Sequence, residues 1–178
     1  MYIKECRVCK SIDLHKFLDF GMQPAADAFL KKEQLNSSEP KYPLEVWFCK
    51  NCGHVQLGYI APRKPLFESF TYLSSVSKTM RENFQDIVDE AVSRFNFGKD
   101  SLVIDIGCND GALLKCFRGL GTRVLGIDPS PTVKFALADG IDVINEFFNE
   151  EVAQDVLKKY GRVSCVTGTN VFAHIDDY

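Results

Sequence analysis

The stretch Leu102-Val103-Ile104-Asp105-Ile106-Gly107-Cys108-Asn109-Asp110-Gly111 constrains this chain more than any other. Leu102 to Ile106 is a short apolar run interrupted only by Asp105, the pattern of a parallel strand buried on both faces. Gly107 to Gly111 makes a turn, and Ala112-Leu113-Leu114-Lys115-Cys116-Phe117 resumes at helical spacing. Strand, glycine turn and helix in this order open the nucleotide-binding half of a doubly wound α/β fold. There the glycines admit a ligand close to the backbone, and a helix N-terminus offers N–H groups to it. A dinucleotide fingerprint requires G-x-G-x-x-G, and Asn109 stands where its middle glycine would be, which counts against an NAD-dependent oxidoreductase. Twenty-three residues after Asp105, Val124-Leu125-Gly126-Ile127 runs into Asp128. A carboxylate at the end of the second strand is placed to accept hydrogen bonds from a ribose diol.

The same alternation of strand and helix continues. Residues 131–139 read as a short helix ending at Gly140, and Ile141 to Ile144 as a third strand. Glu146-Phe147-Phe148 follows, with either of two readings open: a ring of Phe147 or Phe148 stacks on a base, or both are core. Asn149 caps a helix through Lys159 that Gly161 stops, and Val163 to Thr167 is a fourth strand. Gly168-Thr169-Asn170-Val171-Phe172-Ala173-His174-Ile175-Asp176 leaves its carboxyl end, the end at which such sheets bind ligands. A sheet halted there leaves an inner strand as a bare edge, so the 178 residues are expected to be the N-terminal part of a longer protein.

Ahead of this half lies a different composition. Cys6-Arg7-Val8-Cys9 and Cys49-Lys50-Asn51-Cys52 are two C-x-x-C pairs separated by 39 residues. Each can place two thiolates on one ion, and four thiolates close a tetrahedral zinc site with no position left for chemistry, so the metal is structural. A disulfide or redox C-x-x-C is the alternative. No apolar h-region opens the chain and no run approaches the roughly 18 residues of a membrane span, which predicts a cytoplasmic protein with reduced thiols. Net charge is −3 with no dense Lys/Arg run, which argues against nucleic acid or an anionic membrane as partner.

Between the cysteine pairs, Phe17 to Gly21 reads as a short strand ending in a turn, and residues 31–41 as loop. Tyr42 to Phe48 alternates into Cys49, and His54 to Tyr59 alternates out of the second pair, as a hairpin would; His54 reads as a solvated strand residue rather than a ligand. Ala61-Pro62-Arg63-Lys64-Pro65 breaks the pattern and marks a boundary. Met80, Phe84, Ile87, Val88, Ala91, Val92 and Phe95 then recur at helical spacing, with Thr79 and Glu82 fitting a capping box and Gly98 ending the segment. The stripe reads as core against the sheet. The organisation expected is a zinc-binding β domain over 1–62, a linker and helix over 63–98, and an incomplete Rossmann-like domain over 99–178.

Several of these stretches belong together. Gly21-Met22-Gln23-Pro24 before Ala28-Phe29-Leu30, Cys-x-x-Cys-Gly before Val55-Gln56-Leu57, Tyr72 with Ser74-Ser75, the glycine turn, Gly126-Ile127-Asp128-Pro129-Ser130, and Asn170-Val171-Phe172-Ala173-His174-Ile175 form one set. Asp105 with the glycine turn resembles motif I of class I S-adenosylmethionine (SAM) methyltransferases. The whole set resembles the zinc-containing, SAM-dependent C-methyltransferases of nucleotide-linked keto-deoxysugars. The resemblance covers essentially the full chain. It implies a zinc domain, a SAM-binding Rossmann-like domain and a further α/β domain, with the family's catalytic Glu-His pair lying beyond the residues matched here.

By this resemblance Gly107, Asn109 and Gly111 approach the methionine part of SAM, Asp128 holds its ribose and Asp105 its amino group, with Phe147, Phe148 and Asn170 also at the cofactor. Tyr72 and His174 line the sugar site, where a base removes the hydrogen beside the ketone and the enolate carbon takes the methyl. Tyr72 also reads as a packing aromatic and His174 as a loop histidine. Cys108 and Cys116 read as inert. The chain departs from the family at Asp27, Phe70 and Asn83, and the last two bear on the sugar. A methyltransferase of RNA or protein, or a binding module without activity, are the competing readings.

Overall fold

The computed structural model describes residues 1–26, 28–67 and 70–175, so Asp27 and Asp176 of the stretches above lie outside the described residues. The chain forms two compact units, Met1–Leu66 and Phe67–Ile175.

The first unit is an antiparallel sheet of β1 (Leu14–Pro24), β2 (Lys41–Cys49) and β3 (Val55–Leu57), in that order. β1 is longer than its apolar core predicts. Gly21, at φ +70°, does not end the strand but sits in an irregularity between Asp19 and Met22. The Asp19 carboxylate accepts the Gly21 N–H at 2.9 Å there, and pairing with β2 resumes beyond it. The N-terminus adds to the sheet's far end through a Tyr2–Tyr59 bridge. Cross-strand pairing places Lys16, Trp47 and Gln56 on one face and His15, Phe48 and Val55 on the other. Trp47 covers Gly58 so closely that a Cβ there would lie 1.9 Å from its indole nitrogen. His54 is half-buried and precedes β3 rather than belonging to it; its carbonyl accepts the Cys49 N–H at 2.8 Å. The Ala61–Pro65 break contains the start of a helix, α1 (Arg63–Phe67).

In the second unit, α2 (Lys78–Arg94) is capped two residues ahead of the predicted box. Ser77 is the N-cap, its hydroxyl accepting the Met80 N–H, while Glu82 pairs with Lys78 at 3.4 Å instead. The helix ends at Arg94, ahead of Gly98, because Phe95 turns extended (φ −131°, ψ 143°). Phe97 then meets the buried Phe117 ring edge to face, 5.6 Å between centroids. Phe84 and Val88 are buried as expected, but Val92 and Phe95 point to solvent.

The sheet is parallel, β6-β5-β4-β7, with β4 at Leu102–Ile106, β5 at Arg123–Ile127, β6 at Asp142–Ile144 and β7 at Cys165–Thr167. Between them run α3 (Ala112–Gly119), α4 (Val133–Ala138) and α5 (Glu150–Tyr160), the last capped by Asn149 and stopped at Gly161. Successive β4 residues serve opposite cores. Val103 joins Phe84, Val88, Leu113, Leu114, Phe117 and Ile141. Leu102 and Ile104 join Leu125, Ile127, Val152 and Val156. Two apolar layers, each of side chains worth about 1.5–3 kcal/mol when fully buried, fix β4 between helices on both faces. Every loop at the carboxyl ends of the strands is thereby brought to one rim. No helix among the described residues is long and apolar enough to cross a membrane.

Candidate functional site

The four cysteines of the two pairs converge, all Sγ atoms within 4.8 Å of one another. Two separations cross between the pairs, Cys6 to Cys52 and Cys9 to Cys49, each 3.6 Å. A disulfide would need about 2.05 Å, whereas Zn–S bonds of about 2.3 Å in a tetrahedron put sulfurs about 3.8 Å apart. The donor set therefore fits zinc, with four thiolates and no open position. Both knuckles are built alike. Lys10 N–H returns to Cys6 O and Gly53 N–H to Cys49 O, each at 2.9 Å, with Lys10 (φ +61°) and Gly53 (φ +77°) in the left-handed region that turns the chain. Asn51 Nδ2 donates to Cys9 Sγ at 3.5 Å and, with further hydrogen bonds, lowers that thiol toward the thiolate a metal takes, while the sulfurs around it push Cys52 up. Buried Gln56 ties the knuckles together, accepting Arg7 N–H at 2.9 Å and donating to Glu5 O at 3.2 Å. In the sequence Gln56 is a strand position and part of the Val55-Gln56-Leu57 stretch, with nothing local to mark this tie.

At the rim of the parallel sheet, Asp105 is the last residue but one of β4 and Asp128 follows β5. Asp105 is 2% exposed. Burial pushes its carboxyl up to about 7; the Thr167 hydroxyl, donating at 2.7 Å, opposes this and the charge of Asp128 adds to it. Asp128 is held differently: Oδ2 accepts the Asn109 N–H at 2.8 Å and Oδ1 the Ser130 N–H at 2.7 Å. Each oxygen keeps a lone pair for a hydroxyl. Gly107, Asn109 and Gly111 all have positive φ (73°, 53° and 74°). The glycines are required by packing as well as by the turn: a Cβ on Gly107 would meet Val171 at 3.0 Å, and one on Gly111 would meet Ile141 at 2.8 Å. The Asn109 side chain is occupied by the chain itself, Nδ2 donating to Tyr72 O at 2.9 Å. Burial pushes the thiol of Cys108 well up, leaving it a poor nucleophile.

The remaining candidates collect around Phe67, a residue that no local pattern marks out. The Phe67 ring meets His174 (5.5 Å), Phe147 (6.2 Å) and Phe70 (6.2 Å), and Phe70 meets Tyr72 (6.4 Å). Segments before α2, after β6 and after β7 thus converge. Tyr72 is 51% exposed and His174 is exposed on a one-turn 3-10 helix, Phe172–His174. Phe148 packs instead with Ile144, Tyr160 and Val163 on the α5-side core, which separates it from Phe147. Asn170, left-handed at φ +55°, is exposed where the chain leaves β7, and Asn83 is exposed on α2. Carboxylates able to accept from an ammonium and a ribose, beside a rim of exposed aromatic, hydroxyl and imidazole groups, can hold a charged nucleoside next to a second, polar substrate.

Comparison with known proteins agrees with this division. Residues 6–67 match a family model described as "Putative zinc binding domain" and residues 76–178 one described as "Methyltransferase domain". Over 176 residues the chain is 32% identical to the C-methyltransferase NovU of Streptomyces niveus, a match covering 98% of this chain and 42% of that protein. The chain thus spans less than half the length of that curated relative.

Proposed function

We propose, from the premise that this chain belongs to the methyltransferase-domain family and carries a zinc-binding domain ahead of it, that it supplies the cofactor half of a SAM-dependent C-methyltransferase acting on a nucleotide-linked keto-deoxysugar. The observation that carries the reading is the pair of carboxylates at the carboxyl ends of β4 and β5, on either side of a left-handed glycine turn. SAM bound there supplies an electrophilic methyl group. Asp128 accepts the ribose hydroxyls on the lone pairs its backbone partners leave. Asp105 faces the amino group, whose charge draws its proton off. Phe147 packs beside the base. The sulfonium is a cation, and a rim with two acids and aromatic rings suits it.

The similarity to a C-methyltransferase supports carbon as the acceptor. Tyr72 donates to the sugar ketone or its enolate oxygen, and His174 holds or polarises the same sugar. Both are exposed and are linked through the Phe70 and Phe67 rings, an arrangement that suits groups serving one substrate. The four-cysteine zinc site is structural. Residues 1–62 form the zinc domain, 63–98 the substrate-side linker and helix, and 99–178 the Rossmann-like part. The enzyme works in the cytoplasm, and the remaining sugar contacts and the catalytic base come from further residues of the complete protein.

Calorimetric titration with SAM, on a sample whose zinc content is measured, tests the reading. We expect one zinc and micromolar SAM binding, weakened at least tenfold by Asp128→Asn, which keeps the side chain's size. Unchanged affinity in the variant overturns the ribose role, and a zinc-loaded chain that does not bind SAM overturns the cofactor reading.

A further inference from the structure

Asn109 and its neighbour Asp110 bind the turn to a distant part of the chain. Asn109 Oδ1 accepts the Ser74 N–H at 3.3 Å and the Asp110 N–H at 2.8 Å, while Nδ2 donates to Tyr72 O at 2.9 Å. Asp110 is 1% exposed; its Oδ2 accepts the Ser75 N–H at 3.0 Å and its Oδ1 the Ala112 N–H at 3.3 Å. Three hydrogen bonds from two consecutive residues therefore fix the segment 72–75. Little else does so from within: the 3-10 turn Ser74–Val76 that follows Tyr72 buries no side chain, and Tyr72 itself is half exposed. From α2, the exposed Arg81 guanidinium grips the carbonyls of Ser75 and Val76. The segment is held by polar contacts that can be made or broken together, rather than by a core.

The other end of the connection is Asp128, whose Oδ2 takes the Asn109 N–H at 2.8 Å. One unbroken hydrogen-bonded path thus runs from the proposed ribose carboxylate, through the backbone and then the side chain of Asn109, to the carbonyl of Tyr72.

We propose that Asn109 and Asp110 are positioning residues that couple occupancy of the cofactor crevice to the placement of Tyr72, so that cofactor binding prepares the substrate side; this rests on the cofactor and sugar readings above. Such coupling is reciprocal: whatever orders segment 72–75 tightens the cofactor by the same factor, and the reverse. Asn at 109 suits both demands, since it tolerates the left-handed region and carries a donor and an acceptor on one short side chain.

Hydrogen exchange read by mass spectrometry on the zinc-loaded 178-residue chain, with and without saturating SAM, tests this alongside calorimetry. We expect SAM to slow exchange of the Ser74 and Ser75 amides roughly fivefold or more. In Asp110→Ala, which leaves no acceptor for the Ser75 N–H, SAM still binds but the slowing at Ser75 is lost. Bound SAM with unchanged exchange over 72–76 in the wild type overturns the coupling and leaves the cofactor reading standing, as does an Asp110→Ala chain that keeps the full slowing. Absence of SAM binding overturns both. Should Asp110→Ala fail to fold, the wild-type comparison alone decides.

Discussion

Replacing Asp105 by asparagine should change how stability responds to pH, by an amount the structure fixes. Asp105 is 2% exposed and its carboxyl is raised from 3.8 to about 7, chiefly by burial. Between those values the folded chain holds a proton that the unfolded chain has released, so raising the pH through this window draws the wild type toward unfolding. The stabilising protonated form is fully present below about 4 and lost above about 7. A shift of about 3 units at 1.36 kcal/mol each is about 4 kcal/mol in all, of which about 3 kcal/mol falls between pH 4.5 and 7.5. Asparagine has the same size, stays neutral and can still accept from Thr167. Urea denaturation of both proteins across that range, followed by far-UV circular dichroism, gives the two stabilities. Subtracting them removes every titration the two share, the metal ligands included. The variant should gain about 3 kcal/mol on the wild type as pH rises. A difference that stays flat shows that Asp105 ionises freely and refutes the argument from burial. Saturating SAM should shrink the difference and complete it at a lower pH, since a cation beside a carboxylate lowers only the folded-state pKa.

Gly111→Ala should cost about 2–4 kcal/mol in the same unfolding assay, about 1 from the left-handed backbone and the rest from overpacking, since the new methyl would lie 2.8 Å from Ile141 and 3.0 Å from Ala136. A loss below about 1 kcal/mol would show that the neighbours give way. Chelating the zinc should unfold residues 1–66, whose only buried apolar side chains are the ligands Cys6 and Cys49 among the described residues. Trp47, the chain's single tryptophan, lies in that unit and reports it alone. Emission that stays unchanged after zinc has left would refute a structural role for the metal.

The parts that burial on two faces dictates were legible in the sequence. β4 and β5 can be read directly, because a strand between two helical layers has no polar face to disguise it. The zinc ligands were equally plain, since paired cysteines at this spacing have few other uses. Element ends were less so. Ser77 and Thr79 are both competent caps, and only the direction in which the chain arrives selects Ser77. Gly98 is a good stop signal, but packing of Phe97 on Phe117 draws the chain straight before it is reached. Least legible were the contacts between distant segments. Thr167 and Asp105 lie 62 residues apart, and nothing local to either announces their bond. Phe67 as the meeting point of His174, Phe147 and Phe70, Gln56 as the tie between knuckles and Asp110 as a clasp on Ser75 likewise follow from topology. The glycines show a subtler limit. Their positions predict a turn correctly, yet nothing local to either announces that Val171 crowds Gly107 and Ile141 crowds Gly111.

The strand order β6-β5-β4-β7 also sets a schedule. As the chain is synthesised, β4, β5 and β6 emerge one after another and pair as neighbours in the order of their appearance. β7 must return across the growing sheet to the opposite side of β4, which makes its pairing the least local in this unit and the slowest to be won. Until it arrives, the β7 flank of β4 is open beside Asp105. Adding β7 brings the Thr167 hydroxyl and closes that flank of β4 together. The pairing made latest among these four strands is thus also one that takes Asp105 away from water, and burial of this kind favours the protonated carboxyl.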